Sequence, residues 1–221
     1  SLEASSHAIV LHRLDGFAVD VAGFTNLQRD HLDFHKTMQG YLDAKARLFT
    51  PEHARRGVVC VDDEWGARLA DRIAGAGLIP VDRVRAYPIE GDPARGTDWW
   101  VSDAAVSMTD AATTFTLHGP DAERIEASCP LPGLVNVQNA ALALVMALRA
   151  GVPAATAVTA LAEAHNIPGR MQRISRRDGV RGTCIVDFAH TPDAMELALK
   201  AVRQITPGRL IVVFGSDGDR D

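Results

Sequence analysis

The sequence predicts an α/β protein in which a mostly parallel central sheet with flanking helices and a small antiparallel sheet precedes the start of a Rossmann-like C-terminal domain. Short apolar runs at 19–26 and 56–63 are typical of buried strands, and helical patterns separate them. Residues 79–129 alternate with period two between Gly, Pro and Asp, which indicates an antiparallel meander. Beyond "NIPGR" at 166–170, a strand–helix–strand pattern begins again.

Helices are predicted where apolar residues recur at helical spacing. The segment "MQGYLDAKARLF" at 38–49 forms one apolar stripe, and 64–77 is amphipathic. Residues 136–151 form a strongly apolar helix that ends at a glycine, and 153–165 starts a further helix with Pro near its first turn. In the last part of the chain we expect a strand at 183–190, a helix at 192–205 and a strand at 209–216.

The break at 166–170 predicts a domain boundary between residues 1–169 and residues 170–221. The chain begins without Met and stops on "GSDGDRD" directly after a predicted strand, so we expect it to be part of a longer protein. "DGDRD" at 217–221 resembles the front of a calcium-binding loop. An EF-hand also needs flanking helices and a closing Glu, so we do not assign one here.

Composition excludes several classes of protein. The chain has 221 residues, 47% of them hydrophobic, which is enough for a substantial core. A net charge of −5 without a basic stripe argues against nucleic-acid binding. There is neither a secretory leader nor an apolar run near the roughly 18 residues of a membrane span, so we expect a cytoplasmic protein. Cys60, Cys129 and Cys184 lie far apart beside apolar segments and are predicted to be buried free thiols.

Residues of functional type concentrate in four places, at strand ends or in loops, where α/β proteins bind their ligands. The first is "LEASSHA" at 2–8, where Glu3 precedes two serines and a histidine. Taken alone, this segment also fits a turn in which Ser5 or Ser6 caps the following helix.

The second place is "FTNLQRDHLDFH" at 24–35, which contains Asp30, His31, Asp33 and His35. Histidine and carboxylate side chains donate lone pairs when deprotonated, so the cluster suits a divalent metal. A solvated loop explains the segment equally well.

The third place is Lys45, which lies in the apolar stripe of 38–49 between Tyr41 and Phe49. One interpretation is a lysine that reaches water past Tyr41. The other is a desolvated amine with a lowered pKa, which reacts with carbon dioxide to form a carbamate, a long carboxylate able to bridge two cations.

The fourth place is distributed along the chain. Asn136 and Asn139 are three residues apart at the start of a helix and could share a face, although caps or a polar helix face explain them too. Asp187 and His190 lie at the end of the predicted strand, where a ribose or phosphate could bind. The alternative for this segment is a turn in which Thr191 caps the next helix.

Taken together, these segments resemble the Mur ligases, the ATP-dependent enzymes that build the peptide stem of the bacterial cell wall. The resemblance covers nearly the whole chain in family order and rests on "EASSHA", "FTNLQRDHLDFHKTMQGYLDAKARLF", "NVQNAALAL", "IPGRMQ" and "IVDFAHTPDAME". The set is most similar to the member that adds the third residue, meso-diaminopimelate or L-lysine, to UDP-N-acetylmuramoyl-L-alanyl-D-glutamate.

The resemblance implies a role for each candidate residue. Glu3 and His31 would be magnesium ligands, and Lys45, as a carbamate, would help to hold a second magnesium ion. For the other residues the implied contacts are adenine for Asn136 and Asn139, the phosphates for Arg170 and His190, the ribose for Asp187, and the muramoyl substrate for Ser5 and Arg13. Leu11 departs from the pattern, because some members have a glutamine there that contacts the sugar nucleotide.

The resemblance also implies the reaction, its cofactors and its partners. ATP and Mg²⁺ would convert the D-glutamate carboxylate of the UDP-N-acetylmuramoyl-dipeptide to an acyl phosphate, which the amino group of the incoming amino acid attacks. Residues 1–169 would be part of the central ATP-binding domain of a monomeric enzyme, and 170–221 the beginning of its C-terminal ligase domain. In this family the Gly-rich phosphate loop lies upstream of Glu3, so we expect this chain alone not to turn over ATP.

The sequence leaves three alternative classes of protein open. Other ligases of the superfamily, namely the D-glutamate-adding and D-alanyl-D-alanine-adding members and folylpolyglutamate synthase, share the acyl-phosphate chemistry. A metallohydrolase with a carbamylated lysine would usually need an early His-x-His pair, which does not occur here. A non-catalytic domain that keeps the fold and binds a partner is the third.

Overall fold

The computed structural model describes residues 1–87, 91–107, 112–131, 133–165, 167–174, 183–204 and 206–215. The "DGDRD" stretch, Asn166 and parts of the predicted meander lie outside these ranges. Within them, no helix has the length and apolar character needed to cross a membrane.

A six-stranded sheet lies at the centre of the part of the chain before residue 130. Its strands are β1 (Val19–Phe24), β2 (Ala54–Cys60), β3 (Val81–Arg85), β4 (Trp99–Ser107), β5 (Ala112–His118) and β6 (Arg124–Cys129). The strands lie side by side in sequence order; β1 to β4 are parallel, and β4, β5 and β6 are antiparallel. The predicted α/β class with a mostly parallel central sheet is confirmed.

Helices cover both faces of this sheet. They are α1 (Ser6–Val10), α2 (Leu32–His35), α3 (Met38–Ala46), α4 (Glu64–Ala76), α5 (Leu134–Arg149) and α6 (Ala154–Ala162). α3 and α4 pack with Val59 and Val61 in one apolar cluster, whereas α5 and α6 pack with Val58 and Cys60 in another. Because successive strand residues point to opposite faces, β2 contributes to both clusters and is buried between the two layers.

Capping residues explain where the helices begin and end. Thr37 Oγ1 accepts a hydrogen bond from Gly40 N at the start of α3, and Asp63 Oδ1 accepts one from Gly66 N at the start of α4. α4 ends at Gly77, whose φ of 59° is left-handed. The predicted helix at 38–49 is three residues too long, because α3 ends at Ala46 and turns follow it.

The prediction of an antiparallel meander is right for β4 to β6 and wrong for β3, which is parallel to both of its neighbours. The alternation that indicated an antiparallel strand is that of "VRAYPIE" at 84–90, of which only Val84 and Arg85 belong to β3. Within β3 itself, Asp82 is buried and paired with Arg56 and Arg149, so this strand does not have a solvent-facing polar side.

The last part of the chain contains a two-stranded antiparallel sheet and a helix: β7 (Gln172–Ile174), β8 (Cys184–Val186) and α7 (Pro192–Gln204). The predicted helix at 192–205 is confirmed as α7, and Thr191 Oγ1 caps it by accepting a hydrogen bond from Ala194 N. The predicted strand at 183–190 is too long, because β8 covers only Cys184–Val186. The predicted strand at 209–216 is not formed in its described residues 209–215. No described strand pairs with this segment, and Val213 is 95% exposed.

Candidate active site

A cavity of about 900 Å³ lies along β1 and brings together residues from five elements. The cavity is lined mainly by the start of the chain, β1, His31 before α2, one face of α3 and the second half of α5. Four predicted site residues, Glu3, Ser5, His31 and Lys45, are among its lining residues, whereas Arg13 is not. Arg13 is exposed on the turn that follows α1.

Ser5 and Glu3 line the cavity at the start of α1. Ser5 has extended backbone angles (φ −71°, ψ 148°), and its Oγ accepts a hydrogen bond of 3.1 Å from Ala8 N. The interpretation of "LEASSHA" as a capped helix start is therefore confirmed, with Ser5 as the cap. The carboxylate of Glu3, two residues earlier, is exposed at the cavity.

His31 is held at the cavity by an unusual backbone conformation. It precedes α2 with a left-handed φ of 54°, and its backbone N–H donates to Asp30 Oδ1 at 2.8 Å. Its Nε2 lies 3.4 Å from Asp30 Oδ2. Among the described residues, no three His, Cys, Asp or Glu side chains form a group that could hold a metal ion. The segment 24–35 therefore does not form a metal site from its own side chains.

Lys45 is half-buried on α3, one turn after Tyr41. Its Nζ lies 5.2 Å from the centroid of the Tyr41 ring. Burial lowers the pKa of Lys45, and the negative charge of Glu3 partly opposes this effect. Among the described residues, no carboxylate lies within ion-pair distance of Nζ. The amine is consequently easier to deprotonate than that of a lysine in water.

Ser6, His35 and Tyr41 pack behind these residues. Ser6 is 1% exposed, and its Oγ lies 2.9 Å from His35 Nε2. The His35 ring stacks on Tyr41, with 4.7 Å between centroids and 13° between planes. Burial, together with the nearby His7 and His31, lowers the pKa of His35. The sequence did not indicate this group, because Ser6 and His35 are separated by 29 positions.

Asn136 and Asn139 lie in the first two turns of α5, Asn136 half-buried and Asn139 exposed. Gln138, between them, is 5% exposed and donates a hydrogen bond of 2.9 Å to Asp62 Oδ2. Burial raises the pKa of Asp62, although its hydrogen bonds act in the opposite direction. The link ties the start of α5 to the end of β2. Its only sequence signal is a carboxylate directly after an apolar strand.

Arg170 and His190 lie beside the exposed Phe188, and Asp187 directly precedes that residue in the chain. The Arg170 guanidinium lies 5.5 Å from the centroid of that ring, and His190 Nδ1 lies 3.1 Å from the Phe188 carbonyl oxygen. Asp187 Oδ2 accepts a hydrogen bond of 2.8 Å from Met171 N. All three predicted residues are exposed. Each carboxylate oxygen of Asp187 can accept a further hydrogen bond.

The three cysteines are free, but only two match their prediction. Cys60 and Cys129 are buried, whereas Cys184 is exposed. The prediction for Cys184 is wrong because β8 pairs only with the short β7 among the described strands, and neither strand is covered by an apolar layer.

The fold and the cavity define a protein of the α/β class in which acidic, histidine and lysine side chains converge beside a parallel strand. Residues 1–147 match the family model of the Mur ligase middle domain, and residues 169–221 match that of the Mur ligase glutamate ligase domain. The chain belongs to the Mur ligase family.

Named relatives match the chain over its whole length. It is 42% identical to the UDP-N-acetylmuramoyl-L-alanyl-D-glutamate–2,6-diaminopimelate ligase of Streptomyces coelicolor and 44% identical to the UDP-N-acetylmuramyl-tripeptide synthetase of Leifsonia xyli. It covers 41% of the length of each, so it spans about two-fifths of these relatives.

Solved structures agree with this assignment. A UDP-N-acetylmuramoyl-L-alanyl-D-glutamate–2,6-diaminopimelate ligase superposes on the whole chain with a TM-score of 0.76 and 33% identity, and 43% of that protein is covered. MurF from Acinetobacter baumannii superposes on 83% of the chain with a TM-score of 0.66; at 23% identity this similarity shows the fold alone, and 37% of that protein is covered.

Proposed function

We propose that the protein carrying this chain is an ATP-dependent amide ligase of peptidoglycan precursor synthesis. It adds the third residue, meso-diaminopimelate or L-lysine, to UDP-N-acetylmuramoyl-L-alanyl-D-glutamate. The observation that carries this proposal is the convergence of Glu3, His31 and Lys45 on one cavity. The whole-length similarity to ligases named for this substrate supports it. Residues 1–169 then belong to the central ATP-binding domain and 170–221 begin the C-terminal ligase domain of a monomeric, cytoplasmic enzyme.

The donor set fits magnesium in kind, provided that Lys45 is modified. Glu3 supplies carboxylate oxygens, which Mg²⁺ prefers, and His31 supplies an imidazole nitrogen. The ammonium of Lys45 carries positive charge and cannot bind a cation, but its carbamate can. Mg²⁺ held by Glu3, His31 and the Lys45 carbamate would neutralise and orient the transferring phosphoryl group.

Carbamate formation needs the neutral amine of Lys45. Nζ forms a bond to the carbon of CO₂ and releases one proton, which leaves a carboxylate at the end of the side chain. Burial favours this step because it lowers the pKa of Lys45, and Lys45 lines the cavity, through which CO₂ would reach Nζ.

The remaining candidate residues would bind either ATP or the muramoyl nucleotide. Asn136 and Asn139 would bind adenine, Asp187 the ribose, and Arg170 and His190 the phosphates of ATP. Ser5 and Arg13 would contact the muramoyl nucleotide. Transfer of the γ-phosphoryl group to the D-glutamate carboxylate gives an acyl phosphate; attack by the amino group forms the amide bond and releases phosphate. The chain's side chains contribute positioning and charge rather than a nucleophile.

The test uses the longer protein that contains this chain. UDP-N-acetylmuramoyl-L-alanyl-D-glutamate, ATP and Mg²⁺ are combined with meso-diaminopimelate or L-lysine, and phosphate release and nucleotide-tripeptide mass are measured. We expect product with one of these amino acids. Product only with the acceptor and amino acid of another Mur ligase would reassign the substrate, and no ATP-dependent product with any would refute the proposal.

A pair of lysine variants tests the carbamate in the same assay. Lys45→Ala should lose most of the activity, and a short carboxylate such as acetate should restore part of it by replacing the carbamate. Lys36→Ala is the matched control, because Lys36 is exposed and its Nζ donates to the Asp33 carbonyl. If Lys45→Ala retains activity comparable to that of Lys36→Ala, the carbamate has no role.

A further inference from the structure

The three proposed magnesium-site residues come from three separate segments, and a different set of side chains joins these segments. Ser6 follows Glu3 by three residues, His35 follows His31 by four, and Tyr41 precedes Lys45 by four. His35 and Tyr41 are therefore about one helical turn from a site residue, whereas Ser6 begins α1 three residues after Glu3. We name Ser6, His35 and Tyr41 the supporting triad.

The triad is held together by direct contacts. Ser6 Oγ lies 2.9 Å from His35 Nε2, and the His35 ring stacks on Tyr41 with 4.7 Å between centroids. Burial raises the pKa of Tyr41, and the neighbouring Ser6 hydroxyl opposes this rise. A serine hydroxyl can donate one hydrogen bond and accept another, so Ser6 can serve both partners at once.

Tyr41 also contacts two of the site residues. The His31 ring meets it edge-on, with 6.1 Å between centroids and 79° between planes, and Lys45 Nζ lies 5.2 Å from its centroid. Tyr41 is 8% exposed, so its ring cannot move without repacking its surroundings. The ring thus limits the conformations open to the side chains of His31 and Lys45.

We propose that the supporting triad positions Glu3, His31 and Lys45 for metal binding, acting through the backbone segments that carry them. This inference rests on the proposed function. Residues that orient metal ligands without touching the metal typically change metal affinity or activity by about 10- to 100-fold when they are removed. None of the triad residues is assigned to bind substrate or metal.

The experiment measures metal affinity in the longer protein, with Mn²⁺ as the probe and a non-hydrolysable ATP analogue present. Free and bound Mn²⁺ are distinguished by electron paramagnetic resonance. Ser6→Ala and His35→Gln should each raise the Mn²⁺ Kd by about tenfold or more. Tyr41→Phe, which removes only the hydroxyl and keeps the ring, should give a smaller rise and stay folded.

The chain contains a matched control elsewhere. Ser102 Oγ lies 2.8 Å from His118 Nε2, and His118 stacks on Trp100 with 3.8 Å between centroids. This second serine–histidine–aromatic group lies on β4 and β5, away from the cavity. Ser102→Ala and His118→Gln should leave the Mn²⁺ Kd within twofold of the original value.

Each result is decisive. A Kd within twofold of the original for both Ser6→Ala and His35→Gln overturns the positioning role, as does an equal rise in the control variants. Unaltered protein that binds no Mn²⁺ overturns the metal site and the triad together. Formation of the nucleotide tripeptide by the unaltered protein is measured in parallel. Absence of this product refutes the proposed function separately from the triad.

Discussion

Asp82→Asn should destabilise the fold strongly, because Asp82 is the shared partner of groups from three neighbouring elements. Its Oδ2 accepts a hydrogen bond from Arg56 on β2, and its Oδ1 accepts from Arg149 on α5 and from Trp99 Nε1 on β4. Only 5% of its side chain is exposed. Asparagine keeps the shape but removes the negative charge, so two arginines lose their counter-ion.

The contacts set the size of the effect. Removing one partner of a fully buried ion pair costs about 3–5 kcal/mol. Because 34% of the Arg56 side chain and 31% of the Arg149 side chain remain exposed, water recovers part of that loss. We therefore expect the free energy of unfolding to fall by about 2–3 kcal/mol.

The effect should depend on pH in a defined direction. Burial alone would raise the pKa of Asp82, but hydrogen bonds from Arg149, Arg56 and Trp99 outweigh it and hold the pKa below its ordinary value. A carboxylate with a lowered folded-state pKa stabilises the fold fully above its unfolded pKa of about 3.9. That contribution is lost as the pH falls through the folded-state pKa, so the two proteins should converge in stability below about pH 4.

Urea denaturation monitored by tryptophan fluorescence measures the difference at pH 7 and at lower pH. Asp71→Asn is the control, because the Asp71 side chain is 69% exposed and its pair with Arg83 should contribute less than about 1 kcal/mol. A loss below about 1 kcal/mol for Asp82→Asn at pH 7, or a difference that persists unchanged at pH 3, would refute the reasoning.

Two further predictions concern packing and thiol exposure. A Cβ at position 66 would lie 1.9 Å from the Cys60 carbonyl oxygen, so Gly66→Ala should lower the free energy of unfolding by about 1–3 kcal/mol. Gly75 lies on the same helix with nothing within 4 Å of such a Cβ, so Gly75→Ala should raise the free energy of unfolding by about 0.5–1 kcal/mol. Denaturation experiments in which both variants lost the same stability would contradict this contrast. A thiol reagent should modify the exposed Cys184 in the folded chain, whereas Cys60 and Cys129 should react only after denaturation, because burial raises the pKa of both thiols. Peptide mass spectrometry that found Cys60 modified at the rate of Cys184 would show this burial to be wrong.

Much of the fold was predictable because apolar runs and helix caps are local signals. The runs at 19–26 and 56–63 became β1 and β2, and the amphipathic segment at 64–77 became α4. The burial of Asp82 in β3 was not predictable, since its partners Arg56 and Arg149 are 26 and 67 positions away. A window along the sequence cannot distinguish such a residue from one that faces water.

The candidate site was likewise predictable only in part. Lys45 was identified because a charge interrupts an apolar stripe, and Glu3 and His31 because they belong to recognisable motifs. Ser6 gave only a cap signal, and the actual cap is Ser5. The contact of Ser6 with His35 depends on how α1 and α2 pack, which no spacing in the sequence specifies.

The order of the strands has a consequence for synthesis of the chain. Each described strand of the larger sheet pairs with its immediate neighbours in sequence, so each can find its partner soon after leaving the ribosome. α5 contacts all six strands and emerges after the last of them. Until it docks, the face of the sheet that carries Val58, Trp99 and Leu117 is open to solvent. Between completion of β6 and arrival of α5, this face of the nascent chain is therefore exposed to aggregation.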